Sequence, residues 1–182
     1  MRQAPGSEHE QLAAATRRLV DAVLRADVTD EELAAATRAT EQVVDRLERA
    51  PSSGTPEADR WRHRFSVNPV SPPFSYDVTP EGVVGRGEFG LESEGPPGCV
   101  HGGWVALAFD EALGMATNAA GHVSVTGRLT IRYRRLTPLH TEVTLEAHTA
   151  RVEGRRITTV GTMRVGDAIT AEAHGLFITA DP

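Results

Sequence analysis

A histidine followed by two glycines, His101-Gly102-Gly103, and an aspartate nine residues beyond that histidine, Asp110, are the residues of this chain best placed for chemistry. They sit at the entry and near the middle of its longest apolar segment, Trp104 to Thr117, which reads as a helix. The first N–H groups of a helix have no partner within it, and two glycines there let another molecule approach the bare backbone closely. With the positive end of the helix dipole, those donors could polarise a carbonyl and stabilise an oxyanion on it; the plainer reading is a loop turning into a helix, with His101 near the cap position. The segment is apolar nearly all round and should be buried, yet it carries Asp110 and Glu111. An ionised carboxylate in an apolar interior is costly unless paired, hydrogen-bonded or beside a polar cavity. On a helical wheel Asp110 shares its side with Gly103, Leu107 and Gly114, which suits a cleft; Glu111 points with Leu107, Ala108 and Met115. The competing reading is structural: one carboxylate pairs with an arginine from another strand and the other reaches solvent.

The elements that must position these residues follow from periodicity. Residues 1–50 read as a helical hairpin. Leu12, Leu19, Val20, Val23 and Leu24 recur at helical spacing, and Thr29-x-x-Glu32 has the form of a capping box opening a second helix with Leu33, Val43, Val44 and Leu47. Both stripes are narrow, so the hairpin should cover a core or a subunit contact. Residues 51–60, beginning Pro51-Ser-Ser-Gly-Thr-Pro56, form a linker by composition. From 61 to 182 the texture is that of one domain. Phe74 to Val78 and Val83 to Phe89 are strands around a Pro80-Glu81-Gly82 turn. After the helix, closed by Gly121, come Val123 to Tyr133, Glu142 to Val152, Arg156 to Val165 and Ala168 to Ile178, with tight turns at Glu153-Gly154 and Gly166-Asp167. Strict alternation in the first of these puts Val123, Val125, Leu129, Ile131 and Tyr133 on one face and Arg128, Thr130 and Arg132 on the other. The expectation is an α+β domain: a four-stranded antiparallel meander and an earlier hairpin, curved around one helix.

Composition excludes several classes. The 182 residues hold one ordinary domain and an appendage. No apolar run approaches the roughly 20 residues of a membrane span, and the polar, acidic Met1 to Glu10 is unlike a signal peptide. The net charge is −6, and every one of the 19 basic residues is arginine, without a long basic run, so nucleic acid is not suggested. A single cysteine, Cys99, precludes an internal disulfide and fits the cytoplasm. The seven histidines show no ligand spacing, so no metal is implied. Gly85-Arg-Gly87-Glu-Phe-Gly90 matches a dinucleotide fingerprint literally but opens no helix. Cys99 and His101 are too close in sequence to make a nucleophile and its base.

Gly95-Pro-Pro-Gly-Cys-Val-His101-Gly102-Gly103-Trp-Val-Ala-Leu-Ala-Phe-Asp110-Glu111-Ala-Leu-Gly114, followed by Thr126-Gly-Arg-Leu-Thr-Ile-Arg-Tyr133, resembles the signature of PaaI-like acyl-CoA thioesterases of the hot-dog superfamily. Asn68-Pro69 and Pro72-Pro73 are similar to the lead-in of a bacterial branch. The resemblance spans about residues 65–180 and leaves out the N-terminal helices. It implies a hot-dog fold, an antiparallel sheet wrapped around one central helix, and hydrolysis of an acyl-CoA thioester without a cofactor. On this resemblance Asp110 is the general base or the nucleophile, and Gly103, with Gly102, donates backbone N–H to the thioester oxygen. His101 sets the loop, and Thr126 positions the water or the carboxylate. The site lies between subunits of a homodimer or dimer of dimers, the carboxylate and the helix N-terminus coming from different chains. In one departure, some relatives carry asparagine where this chain has Gly95.

Arg132, Arg134 and Arg135 are candidates to meet the phosphates of coenzyme A, against the plainer reading that arginines on the outer face of an antiparallel strand are only solvated. Two rivals share the fold. A non-catalytic acyl-CoA-binding or regulatory module would keep the helix entry without needing Asp110. An acyl-CoA hydratase would pair an acid with a histidine five residues on, where this chain has Met115.

Overall fold

A computed structural model describes residues 7–51 and 67–179 and divides the chain into two compact units, Met1–Pro69 and Val70–Pro182. Nearly all of the linker expected over 51–60, and the start of the domain expected from 61, lie outside the described residues.

In the first unit, helix α1 (Glu8–Arg25) and helix α2 (Asp30–Glu48) form as their spacing requires. The Thr29–Glu32 capping box is present, and a second one, Ser7–Glu10, opens α1. Their apolar residues stay largely exposed; Leu19, Val23, Leu33 and Val44 line a groove between the helices.

The second unit is a six-stranded antiparallel sheet around a single helix, the hot-dog arrangement. Its strands are β1 (Phe74–Thr79), β2 (Gly82–Glu88), β3 (Ser124–Tyr133), β4 (Glu142–Glu153), β5 (Arg156–Val165) and β6 (Ala168–Thr179), and its helix is α3 (Gly102–Ala119). α3 packs against all six strands. Alternation decides what each contributes. Val143, Leu145 and Ala147 of β4, Ile157 and Met163 of β5, and Ala171, Ala173 and Phe177 of β6 turn inward onto Val105, Ala108, Phe109, Ala112 and Leu113 of α3.

The order across the sheet is β1-β2-β4-β5-β6-β3. The expected four-strand meander is therefore corrected: β4, β5 and β6 are consecutive hairpins, but β3 pairs with β6 and occupies an edge. The connection from β3 to β4 is too long for a tight hairpin. It is held in passing, with Val100 donating to the Thr137 carbonyl, Leu139 to Gly98 and His140 to Phe89. This crossing straps the loop before α3 to the body of the sheet.

A second correction concerns β3 itself. Thr126 pairs with Phe177 and Arg128 with Leu176, so Gly127 is an extra residue, a β-bulge. One added residue flips the face of everything before it. Leu129 and Ile131 pack on the core, whereas Val123 and Val125 are exposed at 75% and 58%. Ser124 and Thr126 take the helix-facing side in their place, and the Ser124 hydroxyl meets that of Thr117 of α3 at 2.9 Å. The missed signal is the glycine inside the strand, which commonly marks a bulge.

Phe109 is fully buried with its ring against Gly161, where an added Cβ would come within 3.2 Å of it. Phe109→Ala should leave a cavity and destabilise the second unit by about 3–5 kcal/mol in chemical denaturation.

Candidate active site

The two neighbouring carboxylates of α3 point to different sides of the helix, about 100° apart. Glu111 is 5% exposed and lies on the core side. Near it, burial and then the charge of Glu111 push the Tyr76 phenol far above its ordinary value, so that hydroxyl stays protonated. Asp110 lies on the other side, half-buried, and its Oδ1 accepts a 2.7 Å hydrogen bond from the Thr126 hydroxyl. Among the described residues no arginine forms an ion pair with Asp110. Of the two carboxylates, Glu111 is thus the buried one, and Asp110 is the one that keeps a side toward the open line of the helix.

Asp110 belongs to a stripe. Gly103, Leu107, Asp110, Gly114 and Asn118 follow one another at helical spacing, and each is exposed or half-exposed on a helix that buries Val105, Ala108, Phe109, Ala112, Leu113 and Ala116. The sheet wraps α3 without closing over this line.

The helix entry is built by a short loop. His101 donates its backbone N–H to Ser93, Gly95 donates to Cys99, and the Glu94 carboxylate accepts from Gly98 at 2.7 Å. Cys99 is half-buried in that loop. A Cβ on residue 95 would fall 2.7 Å from the His101 Cα. An asparagine has no room there, which accounts for Gly95.

His101 is the N-cap of α3, and its Nδ1 accepts the Gly103 N–H at 3.0 Å. One of the two expected carbonyl-polarising donors is thus already bonded, to the histidine that precedes the helix. The Gly102 N–H has no partner among the described residues. The Gly102 carbonyl accepts a 2.8 Å hydrogen bond from the hydroxyl of Tyr133, the last residue of β3. Sequence reasoning gave Tyr133 no role; its only signal was its place in the strand after the helix.

Gly103 and Asp110 lie seven residues apart on one face, a rise of about 10 Å. Within one chain, therefore, no single reacting carbon can touch both.

The three candidate arginines separate. Arg134 and Arg135 line a shallow cleft of about 390 Å³ with Arg164, Asp167 and Glu172. Arg134 is committed to Glu172, its Nε donating at 2.6 Å. Arg132 does not line that cleft and is exposed on β3. Arg164, at the end of β5, was not foreseen; only the β5–β6 turn brings it to Arg135.

The family model of the thioesterase superfamily matches residues 97–172. Acyl-coenzyme A thioesterase THEM4 of Mus musculus is 33% identical over 109 residues, 59% of this chain and 47% of that protein. The chain thus spans about half the length of the curated relatives it matches. The crystal structure of a thioesterase superfamily protein superimposes with a TM-score of 0.88 at 33% identity, covering 98% of this chain and 94% of that one. A hypothetical thioesterase from Streptococcus pneumoniae, solved with coenzyme A, has a TM-score of 0.57 at 16% identity and covers 59% of this chain and 85% of its own. Structures of the Streptococcus pneumoniae protein with alanine replacing an aspartate, or a threonine sixteen positions further on, match with the same TM-score.

Gly95→Ala should force the His101 backbone to shift and destabilise the fold by about 1–3 kcal/mol, the range for overpacking a filled site. A lowered denaturation midpoint would check it; an unchanged midpoint would show that the loop has slack.

Proposed function

The chain belongs to the thioesterase superfamily, and from that premise we propose that it hydrolyses the thioester of an acyl-coenzyme A, with Asp110 as the reacting carboxylate. The observation that carries the reading is the Asp110–Thr126 pair: a carboxylate on the open stripe of a buried helix, held by a hydroxyl. A carboxylate so placed can take a proton from water as that water attacks the thioester carbon, or attack the carbon itself to give an acyl anhydride that water then opens. Either way the C–S bond breaks and the thiolate leaves. Thr126 fixes which oxygen of Asp110 is free to react.

The negative charge that develops on the carbonyl oxygen falls to the entry of α3, where Gly102 and Gly103 present backbone N–H groups at the positive end of the helix. The thioester oxygen takes over the Gly103 N–H as the His101 ring swings aside.

The 10 Å between Gly103 and Asp110 argues for a homodimer, or a dimer of dimers, in which the helix entry of one chain faces the Asp110 of another. Two antiparallel copies of the open stripe, related by a two-fold axis, make two such sites. β3 supplies a suitable contact, because it is an edge strand with a free row of backbone groups. The cleft of Arg134, Arg135 and Arg164 begins one residue after Tyr133, itself bonded to the helix entry, and is our candidate for the coenzyme A phosphates. Arg135 and Arg164 are its more available cations, and Arg132 drops out. No helix among the described residues is long and apolar enough to cross a membrane, and the lone Cys99 fits a reducing, cytoplasmic setting.

Asp110→Asn should lower thiol release from acyl-CoA by roughly 10²- to 10⁴-fold while acyl-CoA still binds; equal release by both proteins would remove Asp110 from this role and favour a binding module. Co-expressing Asp110→Asn chains with Gly103→Pro chains, each inactive alone, should restore part of the activity, because mixed dimers contain one intact site. An Arg135→Ala, Arg164→Ala double variant should raise KM for a coenzyme A ester about tenfold, as expected for losing one charge-assisted hydrogen bond. The same acyl group on N-acetylcysteamine, which has no phosphates, should be unaffected.

A further inference from the structure

The carbonyl of Gly102 and the N–H of Gly103 belong to the same amide plane, and this one peptide is held by a side chain at each end. His101 Nδ1 accepts from its N–H at 3.0 Å, and the Tyr133 hydroxyl donates to its oxygen at 2.8 Å. The second bond is not a cap. As the first residue of α3, Gly102 already offers its carbonyl to the N–H four residues on, so the tyrosine adds a second hydrogen bond to that oxygen. Nor is the ring a core residue, being 54% exposed. It sits close over residue 102, where an added Cβ would lie 3.2 Å from the hydroxyl oxygen.

We propose that Tyr133 is a positioning residue for thioester hydrolysis, its hydroxyl fixing and polarising the Gly102–Gly103 peptide whose N–H serves the reacting carbonyl. A hydrogen bond at the oxygen of an amide draws electrons from its nitrogen and makes the N–H a stronger donor; chained hydrogen bonds reinforce one another. Most of that gain appears when the acceptor becomes an oxyanion, so it lowers the barrier more than it improves substrate binding. The bond also resists rotation of the peptide plane when His101 lets go of the other end.

The bulge at Gly127 makes this arrangement available. Thr126 and Tyr133 are an odd number of residues apart and would face opposite sides of a regular strand. The extra residue brings both onto the helix side. One strand thus holds Asp110 through its beginning and the Gly102–Gly103 peptide through its end.

This proposal rests on the hydrolase reading, and Tyr133→Phe tests it. We expect kcat for an acyl-CoA to fall about 3- to 10-fold, the size of one net hydrogen bond, with KM and the thermal midpoint unchanged and the Gly103 amide ¹⁵N resonance shifted. A lowered midpoint with full kcat in the folded protein would make Tyr133 a purely structural residue and overturn the proposal. So would unchanged kcat with an unmoved Gly103 resonance. Absence of thiol release from the unsubstituted chain would instead sink the hydrolase reading, and this proposal with it.

Discussion

A helix apolar on nearly every side has to be enclosed, and a single sheet can enclose it only in part. Six strands curve around α3 and bury Val105, Ala108, Phe109, Ala112, Leu113 and Ala116. The direction they leave open is a single line of residues along the helix. Every group with a chemical role in the proposed reaction lies on that line or is held beside it. Small residues dominate the line, Leu107 is its one large apolar member, and Asp110 is its one charge. A second copy covering the line would meet a surface that is mostly backbone and carboxylate, which makes it suited to hold a substrate between chains rather than to form a dry core.

The contrast between Asp110 and Glu111 shows how finely the enclosure discriminates. One step along the helix rotates a side chain by about 100°, enough to move it from the open line to the interior. Burial, and then the charge of Glu111 itself, keep the Tyr76 phenol protonated, so this region holds polar atoms away from water. Asp110, one residue earlier, keeps access to the open side and receives one hydroxyl. Burial of Glu111 costs stability unless its partners compensate, whereas Asp110 has a single described bond to Thr126 and an oxygen left over. Of two chemically equivalent acids, only the accessible one is equipped to react.

Much of this was legible in the sequence. Periodicity gave six strands and three helices, because alternating and helical spacing are local properties that burial enforces. The Asp110 side of the helix followed from the wheel, since glycines at 103 and 114 left it underfilled. Two things were not legible. Pairing β3 with β6 rather than β4 depends on where the 134–141 connection crosses, and nothing local in that segment encodes its destination. The inward turn of Thr126 depends on Gly127 being a bulge, and a regular reading of the strand placed the valines inward in its stead. The resemblance to a family pointed to Thr126 where the alternation pattern pointed away from it. That His101 lies near the cap position was legible from its place before the helix, but that its ring folds back to accept the Gly103 N–H shows only in the rotamer.

Charge raises a final question, because the proposed substrate is an anion and the chain carries a formal net charge of −6. Net charge acts at long range, and in physiological salt its reach is about 8 Å. What an arriving phosphate meets is the local set of charges. At the cleft beside the helix entry these are Arg134, Arg135 and Arg164 against Asp167 and Glu172, and the close Arg134–Glu172 pair neutralises itself. Two arginines then face one aspartate, a local excess of positive charge on an acidic protein. Arginine fits this task, since its planar donors match phosphate oxygens in pairs and stay charged at any physiological pH. The balance is narrow, so affinity for the phosphate end should be modest and salt-sensitive. On this reading the cleft orients a long ligand, and the reaction is left to the helix entry and Asp110.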